Sequence, residues 1–318
     1  MNSLLKKLPF RDIYKIEGVS QFLIMNKTLQ ILCVILIGPH LNASTLEIGL
    51  VGKYTFEDGS ANDSSGNNNN GISYNTTLTT GIQGNGFRFN GVDSIIKISA
   101  LIPQYTTAGT IFTWYRANPN PDLSIQNPYG GIAAAYQHII TQNRKPAQYA
   151  PGLFLTLWNK PYLETPSSGI NLSDSQIRAG YSDEYPGNNT WHNEYLEGNE
   201  NSLGLDGQWH SIASTLFSDI SGKTLKIFFD GNLLGSLNIS NPDQEALTDA
   251  ELFIGGGFNN SIPDAFFNGD IDNVHVYERT LSDLEVASLH IATAPEPSAL
   301  SLLAVGLGVV LRRRRRTV

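Results

Sequence analysis

Along most of the chain, short apolar runs alternate with clusters of Gly, Asn, Asp and Ser, and the period within the runs is that of strands. Leu50–Phe56 opens the series. Gly86–Phe89 and Ile95–Ile98 flank a turn at Asn90-Gly91-Val92-Asp93, and Thr110–Tyr115 and Gly152–Trp158 are longer, buried-type runs. Trp209–Leu216 and Thr224–Phe229 follow, the latter turning at Asp230-Gly231, a strong hairpin signal, into Leu233–Gly235. Leu252–Gly255 and Asp270–Tyr277 complete the set. Helical periodicity is nearly absent. Ser282-Asp283-Leu284-Glu285 reads as a capping box ahead of Val286–Leu289 and predicts one short C-terminal helix. Many short strands, turn residues between them and no fixed repeat predict an all-β fold of two antiparallel sheets packed as a sandwich. No linker divides residues 44–293, which are read as one domain.

Both ends of the chain carry a different pattern. Met25-Asn26-Lys27, the apolar run Leu29–Ile37 and a small-residue site ending at Ala43 read as a signal peptide over 25–43, cleaved after Ala43 by signal peptidase. Residues 1–24 hold no sustained apolar run and read as an extension ahead of a true start at Met25. At the other end stand Pro295-Glu296-Pro297, the apolar Leu300–Leu311 and five arginines, Arg312–Arg316. The uncharged stretch Ser298–Leu311 reaches only about 21 Å as a helix, short of the roughly 30 Å hydrocarbon core. The arginines would hold their end on the cytoplasmic side. Residues 294–318 resemble the PEP-CTERM sorting signal of bacterial envelope proteins in all three parts and their order. The resemblance implies a separate hydrophobic sorting helix inserted transiently in the membrane. It also implies an exosortase-type processing enzyme acting at Pro295, Glu296 and Pro297, and a mature protein at the cell surface or in the extracellular matrix.

Charge and cysteine usage narrow the chemistry of what is exported. The chain's net charge is −8, but Ser44–Pro295 holds 26 acidic against 11 basic residues, a net −15. Such a surface disfavours nucleic acid and favours solubility and divalent cations. The only cysteine, Cys33, lies in the signal segment, so thiolate metal sites and thiol catalysis are excluded from the domain.

Several blocks resemble LamG-like jelly-roll domains. They are Leu50–Phe56 with Ala61–Asn67, Phe87–Asp93, Phe112-Thr113-Trp114, Asp206-Gly207-Gln208-Trp209-His210, Leu225–Gly235, and Phe267–Val274 running on to Leu281-Ser282. They span about residues 48–290 in the family's order, with residues 116–205 departing most. The resemblance implies a concanavalin A-like two-sheet jelly roll in which the first and last strands pair.

Candidate chemistry is sparse. Trp114 and Trp209 are expected in the core between the sheets. Tyr181, Tyr185, Trp191 and Tyr195 lie in a polar stretch without strand alternation. They read either as a glycan platform, aromatic faces stacking on sugar rings, or as anchors that pin a loop. Asp58 and Asp63, brought near Asp270 and Asp272 if first and last strands pair, would offer oxygens to a structural calcium ion; the alternative is turn-forming residues that cap their own backbone. The Glu-x-Asp-x-x-Glu strand of related jelly-roll glucanases is missing at Asp270–His275, and neither a Gly-x-Ser-x-Gly elbow nor a His-Glu-x-x-His motif occurs. The reading is a non-enzymatic module binding an extracellular glycan or matrix polymer. A structural matrix protein without a specific ligand is the alternative, with a glycan hydrolase or lyase behind it. Terminal mass spectrometry on protein recovered from its native host should find a first residue at Ser44 and a last residue near Pro295–Pro297. A surface species that keeps Arg312–Arg316 would refute the second cleavage.

Overall fold

The computed structural model describes residues 43–99, 108–122, 124–126, 133–144, 152–159, 175–184, 191–197, 205–220, 222–239, 250–259 and 262–295. The segment before Ala43 that reads as a signal peptide, Tyr185, Glu296, Pro297 and the apolar and arginine parts of the tail lie outside these residues. Among the described residues, no helix is long and apolar enough to cross a membrane. Ala43 belongs to a four-residue helical turn, Ala43–Leu46, and Pro295 is exposed.

The described residues from Ser44 to Pro295 form two antiparallel sheets with one closing helix. The first sheet runs β13 (Asn232–Ile239), β12 (Gly222–Phe229), β11 (His210–Asp219), β6 (Ala108–Ala117), β17 (Asn268–Tyr277), β4 (Asn85–Asn90) and β3 (Thr77–Thr80), and β1 (Leu50–Tyr54) also pairs with β17. The second runs β10 (Trp191–Glu197), β9 (Ser175–Glu184), β8 (Gly152–Asn159), β7 (Tyr136–Arg144), β14 (Ala250–Ile254), β5 (Ile95–Ile98) and β2 (Ile72–Tyr74). A small ribbon of β15 (Gly257–Asn259) and β16 (Ile262–Asp264) pairs with neither sheet.

Local chemistry explains several joints. Asp230 and Gly231 both take positive φ, 47° and 72°, the geometry of the two-residue turn that joins β12 to β13. The turn after β4 does something else. Asn90 Oδ1 accepts from the backbone N–H groups of Val92, Asp93 and Ser94, and the chain crosses from the first sheet into the second instead of forming a hairpin.

Inner faces alternate as strand period demands. Ile111, Tyr115, Ile212, Leu216, Leu225 and Ile227 of the first sheet share one core with Ile96, Ile98, Leu153, Leu155, Ile177 and Leu252 of the second. A second core lies on the outer side of the first sheet. There the helix Asp283–Thr293 lays Val286 and Leu289 against Phe112, Trp114, Ala213, Phe228 and Tyr277. Both halves of the predicted capping box form. Glu285 N–H donates to Ser282 Oγ at 3.3 Å, and Ser282 N–H donates to Glu285 Oε2 at 2.8 Å. Such a cap contributes about 1 kcal/mol. Trp114 thus fills the space beneath the helix, not the space between the sheets. It donates from Nε1 to Thr293 Oγ1 at 2.7 Å and stacks on His290 at 4.9 Å. Trp209 is half-buried at the margin of this outer cluster.

β17 is buried on both faces and carries a bulge. Between Asp272 and His275 it spends one residue more than β6 does between Trp114 and Phe112, with Asn273 at φ 51°. The extra residue reverses the alternation, so Ile271, Val274 and Val276 all reach the inner core while Tyr277 reaches the outer one. His275 is sealed here, donating from Nδ1 to Asn273 O at 3.1 Å with its ring edge-on to Phe112. Burial pushes its imidazole down to about 4. The unfolded chain takes up this proton near 6.5 and the folded chain only near 4, so protonation favours unfolding in between. The wild-type protein should therefore lose stability relative to His275→Gln as pH falls from about 6.5 to about 4. A thermal-melt difference between the two that stays constant across that window would refute the assignment.

Candidate functional site

Asp270 lies on β17 directly across from Arg88 on β4 and from Arg116 on β6. Its carboxylate is sealed at 4% exposure, and two guanidiniums close over it. Arg88 donates from Nε to Oδ1 at 2.8 Å and from Nη2 to Oδ2 at 3.2 Å; Arg116 donates from Nε and Nη2 to Oδ2 at 2.9 and 2.6 Å. A buried carboxylate without such partners costs several kcal/mol, and two charge-assisted contacts offset that cost. The Asp270 hydrogen bonds and charge hold the Arg88 guanidinium above its ordinary value, so it stays cationic at any accessible pH. Arg116 in turn lies over the Trp209 ring at 5.0 Å, a cation–π contact that keeps its plane fixed.

The two arginines are not sealed with the acid. Arg88 is 57% and Arg116 32% exposed, and both line a groove of about 370 Å³ on the outer face of the first sheet. Asn118, Pro119, Gly207 and Asn268 form its other walls. Asn118 Nδ2 donates to Asn268 Oδ1 at 3.3 Å, closing the far side. Gly269 lets the floor approach β6, since a Cβ there would collide with the Arg116 carbonyl oxygen. The helix stops short of this region, its last turn reaching Trp114. Two cations about one anion leave the groove with a local charge of +1 on a domain whose overall balance is acidic. Each guanidinium has five N–H donors and gives two to Asp270, so polar hydrogens face the groove from both sides.

Residues singled out by sequence fall elsewhere, Asp270 excepted. Trp191 and Tyr195 stand on β10 and Tyr181 on β9, so this stretch is a strand pair and not a loop. In register, Tyr181 lies opposite Glu194 and Leu153, whereas Trp191 lies opposite Glu184 and Tyr195 opposite Gly180. These positions do not share one face of the sheet. Asp58 accepts from Ser60 N, Ser60 Oγ and Asn62 Nδ2. Asp63 accepts from the backbone of Lys53, Ser65 and Asn69 and from Ser65 Oγ. Asp272 accepts from the N–H groups of Ile82, Gln83 and Asn273, yet burial outweighs them and pushes its carboxyl up to about 7. Among the described residues, no three His, Cys, Asp or Glu side chains are placed to share a metal ion. His210, between Asp230 at 2.9 Å and Asp206 at 3.2 Å, is raised above its ordinary value by the Asp230 hydrogen bond. Ser211 Oγ meets His290 Nδ1 at 2.8 Å, but that serine is buried under the helix, where the contact ties helix to sheet. No sequence motif marks Arg88, Arg116, Asn118 or Asn268. The available signal was an arginine set in an apolar run, Phe87-Arg88-Phe89 and Trp114-Tyr115-Arg116.

Residues 148–287 match the family described as the concanavalin A-like lectin/glucanases superfamily. A search of curated proteins finds no match. Among solved structures, the chain is similar to the binding domain of Paraclostridial Mosquitocidal Protein 1, at 16% identity and a TM-score of 0.54, over 78% of this chain and 53% of that one. It is also similar to the binding domain of botulinum neurotoxin serotype D, at 17% identity and a TM-score of 0.52, over 77% of this chain and 52% of the other. Domain 4 of an extracellular arabinanase from Geobacillus stearothermophilus, solved with arabinotriose, aligns at 18% identity and a TM-score of 0.48, over 76% of this chain and 98% of that one. The chain spans about half the length of the two toxin binding domains. The domain from Ser44 onward thus has the two-sheet jelly-roll architecture of concanavalin A-like proteins, and residues 148–287 carry the sequence likeness to them.

Proposed function

We propose that this chain is an exported, non-catalytic binding module of the bacterial cell surface or extracellular matrix, and that its ligand is a carbohydrate or another matrix polymer held at the Arg88–Arg116 groove. The observation that carries the reading is the groove itself. Guanidinium and amide donors converge there beside a half-buried tryptophan, on a sheet face that the closing helix leaves open. Hydroxyl-rich ligands are recognised by such a combination of planar donors and aromatic faces. Asp270, clasped by two cations, is poorly suited to act as a general base, and the buried Ser211–His290 contact offers a substrate no approach. The lectin description of the matched superfamily and the binding domains among the structural neighbours support a binding role in kind, without naming a ligand. The sequence patterns at the two ends of the chain that read as export signals support the location, with signal peptidase and an exosortase-type enzyme as processing partners.

A glycan array probed with the purified protein, its Trp209→Ala variant and its Trp191→Ala variant tests this reading. Loss of Trp209, whose ring holds the Arg116 guanidinium in place, should weaken binding about tenfold. Loss at Trp191 in place of Trp209 would move the ligand to the β9–β10 strands. Silence across the array would favour a structural matrix role, and new reducing ends on incubation with polysaccharide would favour an enzyme.

A further inference from the structure

Resting on that binding reading, we propose that the groove selects acidic glycans, polymers bearing carboxylate or sulfate groups, through the guanidinium N–H groups of Arg88 and Arg116 that Asp270 leaves unspent. Three observations converge. The pairing is unequal, two cations to one carboxylate, so the groove is left cationic although the domain as a whole is strongly acidic. The acid is sealed while its partners are open, with Arg88 more than half exposed, so an incoming anion meets donors and not the competing carboxylate. The donors are also pre-set. Arg88 is held by two hydrogen bonds, and Arg116 by two more and by the Trp209 face, so little side-chain freedom is lost when an anion docks.

A guanidinium edge presents parallel N–H bonds that match two oxygens of a carboxylate or sulfate, a geometry a lysine ammonium does not offer. The amides of Asn118 and Asn268, paired across the groove, stand ready for the sugar hydroxyls beside the charged group. The acidic remainder of the surface repels a polyanion only over about 8–10 Å at physiological salt, so short-range contacts in the groove decide binding. A purely structural triad would stitch the strands without needing either guanidinium exposed; the exposure of Arg88 is what the stitching leaves unexplained.

The test uses the purified protein and three immobilised probes: polygalacturonate, dextran sulfate and neutral dextran. Binding to one or both anionic polymers is expected, with none or far less to the neutral one. Arg88→Gln should weaken anionic binding about tenfold or more, and Arg88→Lys should recover only part of it. Arg116 remains on Asp270 in both variants, so the acid keeps a partner, and a melting curve checks the fold. If Arg88→Gln does not fold, Pro119→Glu sets a carboxylate at the exposed rim without touching the triad and should abolish anionic binding. A preference for dextran sulfate would assign sulfate esters, and one for polygalacturonate would assign uronates. Equal binding to neutral dextran, unmoved by either substitution, would overturn the acidic-ligand inference and leave the binding reading standing. Binding to none of the three, together with a silent glycan array, would overturn both.

Discussion

A carboxylate buried on a strand that is itself buried on both faces is the constraint around which the molecule is arranged. β17 pairs with β1, β4 and β6, and from Gly269 to Tyr277 it has no exposed position. Asp270 cannot reach bulk water from there, and a charge left alone would cost about 3–5 kcal/mol. The solution is lateral: one arginine from each flanking strand, directly in register. The ion pairs therefore act as a register lock between β4, β17 and β6. A slip of one residue would turn both guanidiniums to the apolar core.

The bulge at Asn273 extends the same logic along the strand. Without it, the alternation that puts Ile271 inward would send Val274 and Val276 outward and His275 and Tyr277 into the inner core. With it, one strand supplies hydrophobic side chains to the inner core, an aromatic platform to the closing helix, and acids to the outer face. The helix then covers the half of that face where Phe112, Trp114 and Tyr277 are apolar. It ends where the chemistry turns polar, at Arg116 and Asp270. Groove and helix are two consequences of one division of the sheet's outer face into apolar and charged halves.

The electrostatics of the groove run against those of its surroundings. Acidic residues outnumber basic ones by more than two to one across the domain, yet two arginines meet at one carboxylate. Net charge is a statement about solubility and long-range fields, and a short-range site is free to oppose it.

Period and turn chemistry were enough, in the sequence alone, to determine the class of fold. Alternating runs, the Asp230-Gly231 turn and the Ser282–Glu285 cap depend on contacts between near neighbours in the chain. They are legible for that reason, and so was the pairing of first and last strands once the family blocks were recognised. Strands with mixed polar composition were not legible. Tyr136–Arg144 and Ser175–Glu184 lack the apolar contrast that marks an edge between core and solvent, and Trp191–Glu197 read as loop for the same reason. The two tryptophans were expected in the core, but strand period cannot say which of a sheet's two faces a helix will cover. The candidate site was least legible of all. Asp270 stood out as an acid, offered with Asp58, Asp63 and Asp272 to a calcium ion, while its partners on the neighbouring strands lie 154 and 182 residues away in the chain. Only the tertiary structure, by setting three strands side by side in one register, decided that those partners are arginines, because cross-strand contact is a property of pairing and no local pattern encodes it.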